Sequence, residues 1–238
     1  MLPLETPFLR GKIKVFQYEK GYRFGIDSVI LANFIELKPK EKSLEIGAGC
    51  GLISFIGALR FPQAKIYLLE KDPLYLRALT MGISANRLER ALFPLKGDAH
   101  ELPFRGNSLD VVFLNPPYFK RESGRQSPND LKESARRESN FDLKRCLREI
   151  ASVLKKGGRL YIIFTAFRTT ELIDLLIEAK LEPKVLRMVH SYPEAEAKMI
   201  LIKALKGAKS GVRILPPLFI YQSKGGDYTP ELKEWLEL

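Results

Sequence analysis

Cysteine is nearly absent from this chain: there are two in 238 residues, Cys50 and Cys146, far apart and with no histidine or second cysteine at ligand spacing. That excludes a disulfide framework and a zinc site of the usual kind, and it suits a reducing compartment. No apolar run approaches the ~18–20 residues of a membrane span. The opening Met-Leu-Pro-Leu-Glu-Thr-Pro also lacks the basic stretch and apolar segment of a secretion signal. The expectation is a cytoplasmic protein with no membrane partner and no metal. Internal repeats and low-complexity tracts are missing as well. Acidic charge is in deficit, since 28 Asp and Glu against 39 Lys and Arg leave +11. Such a surplus attracts polyanions by counterion release, but it does not separate RNA from DNA or from a membrane surface.

What is present is a core. With 45% hydrophobic residues, a chain of this length buries roughly 70–75% of its unfolded surface and needs no covalent staple. From 44 to 206, short apolar runs alternate with amphipathic segments, the pattern of an α/β fold with helices on both faces of a parallel sheet. The runs predict seven strands, at 43–46, 66–70, 93–96, 110–115, 160–165, 184–190 and 199–205. Between them, Leu76, Leu79, Thr80 and Ile83 recur at helical spacing within 73–86. Leu143, Cys146, Leu147, Ile150, Val153 and Leu154 do so within 141–154. Ser139 and Asp142 resemble a capping box for that second helix, and Lys155-Lys156-Gly157-Gly158 reads as its stop. One connection is long and polar, 120–140, as functional loops often are. The expectation is one domain over 1–238, with residues 1–42 as an N-terminal cap made of a hairpin around 15–24 and a helix near 28–37.

Four features fall at strand ends. Glu45-Ile46-Gly47-Ala48-Gly49-Cys50-Gly51 puts a glycine-rich turn between the first strand and its helix, where glycines let a nucleotide-like ligand approach the backbone. The spacing is not the dinucleotide fingerprint, whose third glycine falls at position six, and Glu45 would repel a pyrophosphate but welcome an ammonium. An ordinary strand–helix turn remains the plain alternative. Glu70 ends the second strand ~20 residues past the turn, where a carboxylate can accept from both ribose hydroxyls; alone it is also a solvated strand-end acid. Asp98 follows the third strand and could accept from an adenine amino group, or simply form a turn. His100 beside it reads as a packed or surface histidine. After the fourth strand comes Asn115-Pro116-Pro117-Tyr118, in which two prolines fix the backbone and remove two amide donors. Asn-Pro also starts ordinary turns, but the carboxyl edge of a central strand is where open α/β sheets bind ligands.

With these motifs at one edge in this order, the chain resembles the class I S-adenosylmethionine-dependent methyltransferases, more narrowly their Asn-Pro-Pro-Tyr branch, whose acceptors are planar amino or amide nitrogens. The resemblance implies a Rossmann-like sheet of seven mostly parallel strands with the last, 199–205, antiparallel. It implies that Glu45, Gly47, Gly49 and Gly51 hold the methionine part of S-adenosyl-L-methionine, Glu70 the ribose, and Asp98 with Ala99 the adenine. Asn115, Pro116, Pro117 and Tyr118 would form the catalytic motif, with Asn115 also against the cofactor. Three further stretches are similar to one subfamily, the bacterial enzymes that make N6-methyladenosine beside the anticodon of valine transfer RNA. They are Gly21-Tyr22-Arg23-Phe24-Gly25-Ile26-Asp27-Ser28, the run from Asn115 to Lys120 with Ser123-Gly124-Arg125 and Ala135-Arg136-Arg137-Glu138, and Leu205-Lys206-Gly207 with Leu215-Pro216-Pro217-Leu218. By that resemblance Arg23, Asp27 and Ser28 close the cofactor site, although Asp27-Ser28 is also a good helix N-cap.

An adenine amino group is a poor nucleophile because its lone pair is delocalised. If the Asn115 oxygen and the Pro116 carbonyl each accept one N6 hydrogen, the lone pair localises toward the methyl donor. Tyr118 would stack on the base and Phe119 wall the pocket. Lys120, Arg125, Arg136 and Arg137 would grip phosphates of the tRNA, although most charge runs are solvated faces. The expected protein is then a tRNA (adenine-N6)-methyltransferase, with a monomer as the expected state. The nearest alternative is a protein-glutamine N5-methyltransferase acting on release factors, whose members carry a sizeable N-terminal helical domain. A guanine-N2 or DNA-adenine enzyme is third. A nucleotide-binding module or RNA chaperone without catalysis is the reading from another class.

Overall fold

Strict alternation at 111–114 puts Val111 and Phe113 on one face of a strand and Val112 and Leu114 on the other, and all four are buried. A strand apolar on both faces must be covered on both, which dictates helices above and below the sheet. The computed structural model describes residues 2–19, 24–117 and 141–237. Its elements begin with β1 (Leu4–Phe8), β2 (Ile13–Gln17), α1 (Ile26–Phe34), β3 (Lys42–Ile46), α2 (Leu52–Arg60), β4 (Lys65–Glu70), α3 (Pro73–Ala85), β5 (Leu92–Lys96) and β6 (Leu109–Leu114). Then come α4 (Leu143–Val153), β7 (Leu154–Thr165), a 3-10 turn (Ala166–Arg168), α5 (Thr169–Glu178), β8 (Leu181–His190), β9 (Ala197–Lys206), β10 (Arg213–Ile214), β11 (Leu218–Phe219) and α6 (Pro230–Glu237). Among the described residues no helix is long and apolar enough to cross a membrane.

The sheet order is β10-β8-β9-β7-β6-β3-β4-β5, with β11 also beside β8. Strands β3 to β7 pair in parallel, and β9 is antiparallel to both β7 and β8. All seven expected strands are present, including the antiparallel one. Among the described residues the sheet has nine strands rather than seven; β10 and β11 are only two residues long and leave no alternation to read. The hairpin lies earlier than expected, at β1–β2. Its turn is made by Leu9, Arg10 and Gly11 in the left-handed region, and non-glycine residues there give little turn signal. Asn86 pins the hairpin to α3, accepting from Lys14 N (2.9 Å) and donating to Lys14 O (2.7 Å).

Helix α1 begins at Ile26, not Ser28, with Gly25 as N-cap and no side-chain capping bond. Asp27 and Ser28 are therefore inside the first turn and buried, and the N-cap reading for them fails. On α4 the cap is Asp142, whose carboxylate accepts from Arg145 N; Ser139 lies outside the described residues. Lys155-Lys156-Gly157-Gly158 is not the helix stop. Leu154 is already extended, and the glycines lie within β7, where the β6 register shifts between Leu109 and Val111 and Gly157 takes φ +74°. A bulge uses the same residue types as a helix stop.

Candidate active site

The chain runs outward from β3 in both directions, to β4 and β5 on one side and β6 and β7 on the other. Outside the strand ends at such a point a crevice opens. Ile46 pairs with Leu114, so Gly47 and Asn115 leave the sheet side by side. Ile46 also pairs with Leu69, and Glu70 with Lys96, which brings Glu70 and the Gly97-Asp98 turn to the same edge.

Gly47, Gly49 and Gly51 all take positive φ, at +68°, +55° and +82°. A Cβ on Gly47 or Gly49 would meet nothing within 4 Å, so that side of the turn is open. A Cβ on Gly51 would come within 2.4 Å of Leu79 Cδ1, so this glycine serves packing. Glu70 locks the turn: its Oε2 accepts from Gly49 N (2.8 Å) and its Oε1 from Asp72 N (2.9 Å). Each oxygen keeps a further lone pair, the requirement for accepting from a diol.

Glu45 sits behind the turn. Its side chain lies on the α2 face of β3 and is 2% exposed, and its Oε2 accepts from Ser54 N (3.1 Å) and from the Ser54 hydroxyl. Burial pushes its carboxyl up to about 8, the Ser54 bonds opposing. Asp98 is engaged by Lys71 Nζ on Oδ2 (2.6 Å) and by His100 N (2.9 Å) and Nδ1 (2.8 Å) on Oδ1. The Lys71 bond, with help from His100, holds Asp98 down at about 2, against the effect of its partial burial. Ala99 follows it, half-buried against the α4 side of the core. His100 Nε2 accepts from Asp142 N (2.9 Å), so this histidine is a structural pin between β5 and α4.

Asn115 has one defined partner. Its Nδ2 donates to Asp27 Oδ2 (2.8 Å), while its Oδ1 is buried and unpartnered. The Asp27 carboxylate is 7% exposed and also accepts from Ser28 N (2.9 Å) on Oδ1. Gly25 makes this possible, because a Cβ there would lie 2.7 Å from Asp27 Oδ1. The structure thus brings together Asp27, Ser28, Glu45, Gly47, Gly49, Gly51, Glu70, Asp98, Ala99, Asn115, Pro116 and Pro117. Arg23, Tyr118, Phe119, Lys120, Arg125, Arg136 and Arg137 lie outside the described residues. Reading the sequence missed Ser54, Lys71, Gly25 and Gln17, whose amide oxygen accepts from Phe24 N ahead of α1. Only Gly25, next to a buried acid, leaves any sequence signal.

Among the described residues the buried acids are Asp27, Glu45 and Glu70, all at this edge, and of these Glu45 holds its proton up to about 8, which leaves Asp27 and Glu70 to carry the negative charge. An acidic crevice in a protein of net charge +11 suits a cationic ligand. S-adenosyl-L-methionine, with its ammonium and sulfonium groups, ribose diol and close fit to a bare glycine turn, matches this set of donors, acceptors and space.

Comparison with known proteins agrees. Residues 37–216 match the family described as a methyltransferase domain. A tRNA1(Val) (adenine(37)-N6)-methyltransferase of Porphyromonas gingivalis is 29% identical over 187 residues, 75% of this chain and 72% of that protein. A protein of the same name from Dyadobacter fermentans is 24% identical over 238 residues, 99% and 98% of the two chains. Among solved structures, one described as a predicted O-methyltransferase from Agrobacterium tumefaciens superposes with a TM-score of 0.72 at 17% identity, covering 88% of this chain and 94% of that one. A SAM-dependent methyltransferase from Aquifex aeolicus gives 0.54 at 16% identity, covering 75% and 88%. These two structural likenesses bear on the fold alone.

Proposed function

The chain belongs to the methyltransferase domain family, and from that premise we propose that it methylates the exocyclic N6 of an adenine in transfer RNA, beside the anticodon of the valine species. The observation that carries the reading is the Asn115 side-chain oxygen, buried, unpartnered and oriented by Asp27. A planar nitrogen bearing two hydrogens needs such an acceptor, and the Pro116 carbonyl supplies a second with no neighbouring N–H to compete. S-adenosyl-L-methionine, when bound, supplies an electrophilic methyl group. Gly47 and Gly49 let it close on the backbone, Glu70 accepts from its ribose, and the Asp27 carboxylate favours its cationic end, while Glu45, protonated below about 8, backs the glycine turn as a neutral group. Drawing the two N6 hydrogens toward Asn115 and Pro116 localises the nitrogen lone pair along the line of transfer. As the N–C bond forms the methyl–sulfur bond would break, and the nitrogen, cationic once methylated, would shed one of those hydrogens to water, so alignment and polarisation replace a strong base. Tyr118 and Phe119 complete the base pocket, and Lys120, Arg125, Arg136 and Arg137 hold phosphates. Residues 1–238 act as one domain in which the cap, residues 1–42, contributes Asp27. The protein works in the cytoplasm, where its substrate is.

Adenine rather than glutamine is proposed because the curated relatives at 24–29% identity carry the tRNA (adenine-N6) name. The decisive experiment is incubation with total transfer RNA and labelled cofactor, followed by nucleoside analysis. Label in N6-methyladenosine is expected; label in a release factor, and none in RNA, overturns the reading.

A further inference from the structure

Phe167 is 93% exposed, and among the described residues it is the one aromatic side chain on the open surface. Single exposed apolar residues are common on proteins. This one differs in how it is held and where. It occupies the middle of the 3-10 turn that follows β7, and both neighbours are pinned. The Ala166 carbonyl accepts from Thr169 Oγ1 (2.7 Å). The Arg168 guanidinium forks onto Glu171 (2.8 and 2.6 Å) and lies 5.0 Å over the Phe164 ring. The backbone at 166–169 is therefore fixed while the Phe167 ring stands in water, so any partner that covers it loses little conformational freedom.

Its position is the second observation. β7 lies next to β6, and Ile162 pairs with Leu114, the residue before Asn115. Asn115 is therefore level with Ile163 and Thr165 is two residues further along, so β7 ends ~7 Å above the Asn115 level, one strand to the side. The turn packs against the start of β9, where Thr165 pairs with Met199 and Lys198, next to it, is exposed. An exposed aromatic ring on a pinned turn at the strand ends next to Asn115, with an exposed lysine on the strand that the turn packs against, fits one ligand chemistry well: a nucleobase with its phosphate.

We propose that Phe167 is a stacking platform for a nucleotide adjacent to the methylated adenine, with Lys198 beside the phosphate of that nucleotide. The proposal rests on the RNA reading above and deepens it. Stacking needs a π face, whereas a protein or lipid contact needs only apolar area.

The test compares Phe167→Ala, Phe167→Leu and Phe167→Tyr with the unmodified protein on an anticodon stem–loop RNA, measuring RNA affinity by fluorescence anisotropy, KM and kcat by methyl transfer, and cofactor affinity by calorimetry. Ala and Leu should weaken RNA binding and raise KM ~10-fold or more, the loss expected for one base–aromatic stack, while Tyr stays within about twofold. Maximal kcat, cofactor affinity and melting temperature should not move. Leu matching the unmodified protein, or Ala leaving RNA affinity unchanged, overturns the proposal. If the protein methylates RNA regardless of residue 167, the platform fails and the function stands. If it binds RNA through residue 167 without methylating it, the function fails and the platform stands. No RNA binding at all removes both.

Discussion

The Asn115 amide nitrogen donates to the Asp27 carboxylate across 2.8 Å, and this bond fixes the amide so that its oxygen is the end left buried and unpartnered. Turning the amide over would set its oxygen against a carboxylate oxygen in a buried site, where two acceptors repel. Helix α1 thereby sets the chemistry at the tip of β6. Asp27 does so only because Gly25 leaves room for its carboxylate.

Asn115→Ala should lower turnover by ~10²–10³ and leave cofactor affinity within a few-fold, the usual effect of deleting one polarising group at the reacting atom. Asp27→Asn presents either an oxygen or an NH2 to Asn115, so part of the population holds the amide reversed. Turnover should fall in that variant, yet the double variant should be no slower than Asn115→Ala alone. Additive losses would show that Asp27 acts independently of Asn115.

Glu70→Ala should weaken S-adenosyl-L-methionine binding by ~1.5–3 kcal/mol, because two ribose hydroxyls lose a charged acceptor. The same change frees the Gly49 and Asp72 amides that the carboxylate now holds, so the glycine turn loosens as well. Calorimetry reads the affinity directly, and an unchanged value rules out the ribose role. NAD should not bind measurably.

Glu45 gives a pH signature. Its carboxyl holds its proton up to about 8 in the folded protein, against an ordinary value of 4.5, chiefly because it is buried. Between those values the folded state binds a proton that the unfolded state has lost, so stability must fall as pH rises. The contribution is whole below about 4.5 and gone above about 8. Glu45→Gln keeps an acceptor for Ser54 and cannot ionise, so its melting temperature should vary less than that of the unmodified protein from pH 5 to pH 8.5. Parallel curves for the two proteins would show that Glu45 is ionised throughout.

Gly51→Ala should destabilise the fold. The position is left-handed at φ +82°, which costs an L-residue ~1–2 kcal/mol, and the new methyl would press on Leu79 and Phe55. Gly47→Ala carries the backbone strain without the clash, since its Cβ would stand in open space. In thermal melts Gly51→Ala should therefore be the less stable of the two. Equal melting temperatures would mean that the α2–α3 packing yields.

The sheet was legible because its central strands β6 and β7 and their neighbour β9 are runs of buried apolar residues, while β5 and β8, nearer the edges, still keep a row of apolar residues. The edge residues were legible by place alone: Glu70 ends β4, and Asn115 follows the last residue of β6. Partners were not legible. Ser54 reaches Glu45 across 9 residues and the glycine turn, Lys71 reaches Asp98 across 27 and Asp27 reaches Asn115 across 88, and none of these is a local pattern. The β1–β2 turn was hidden for a different reason: its left-handed Leu9 is packed in the core and its left-handed Arg10 is paired with Glu237, contacts with distant residues rather than turn propensity.

Charge offers a test of adenine against glutamine as methyl acceptor that does not depend on the relatives, since the Asn115 oxygen suits either nitrogen. A folded RNA presents phosphates, and the 120–148 stretch holds nine Lys or Arg against five acids next to the Asn-Pro-Pro-Tyr motif. A glutamine in a protein loop needs no such surplus. Replacing Arg125, Arg136 and Arg137 with glutamine should weaken tRNA binding and leave cofactor binding intact. It should also flatten the slope of log affinity against log salt by ~0.7–0.9 for each phosphate that is no longer neutralised. Binding measured from low to moderate salt gives that slope. An unchanged slope would return these arginines to the solvated surface, and methylation of a release factor under the same conditions would assign the acceptor nitrogen to glutamine.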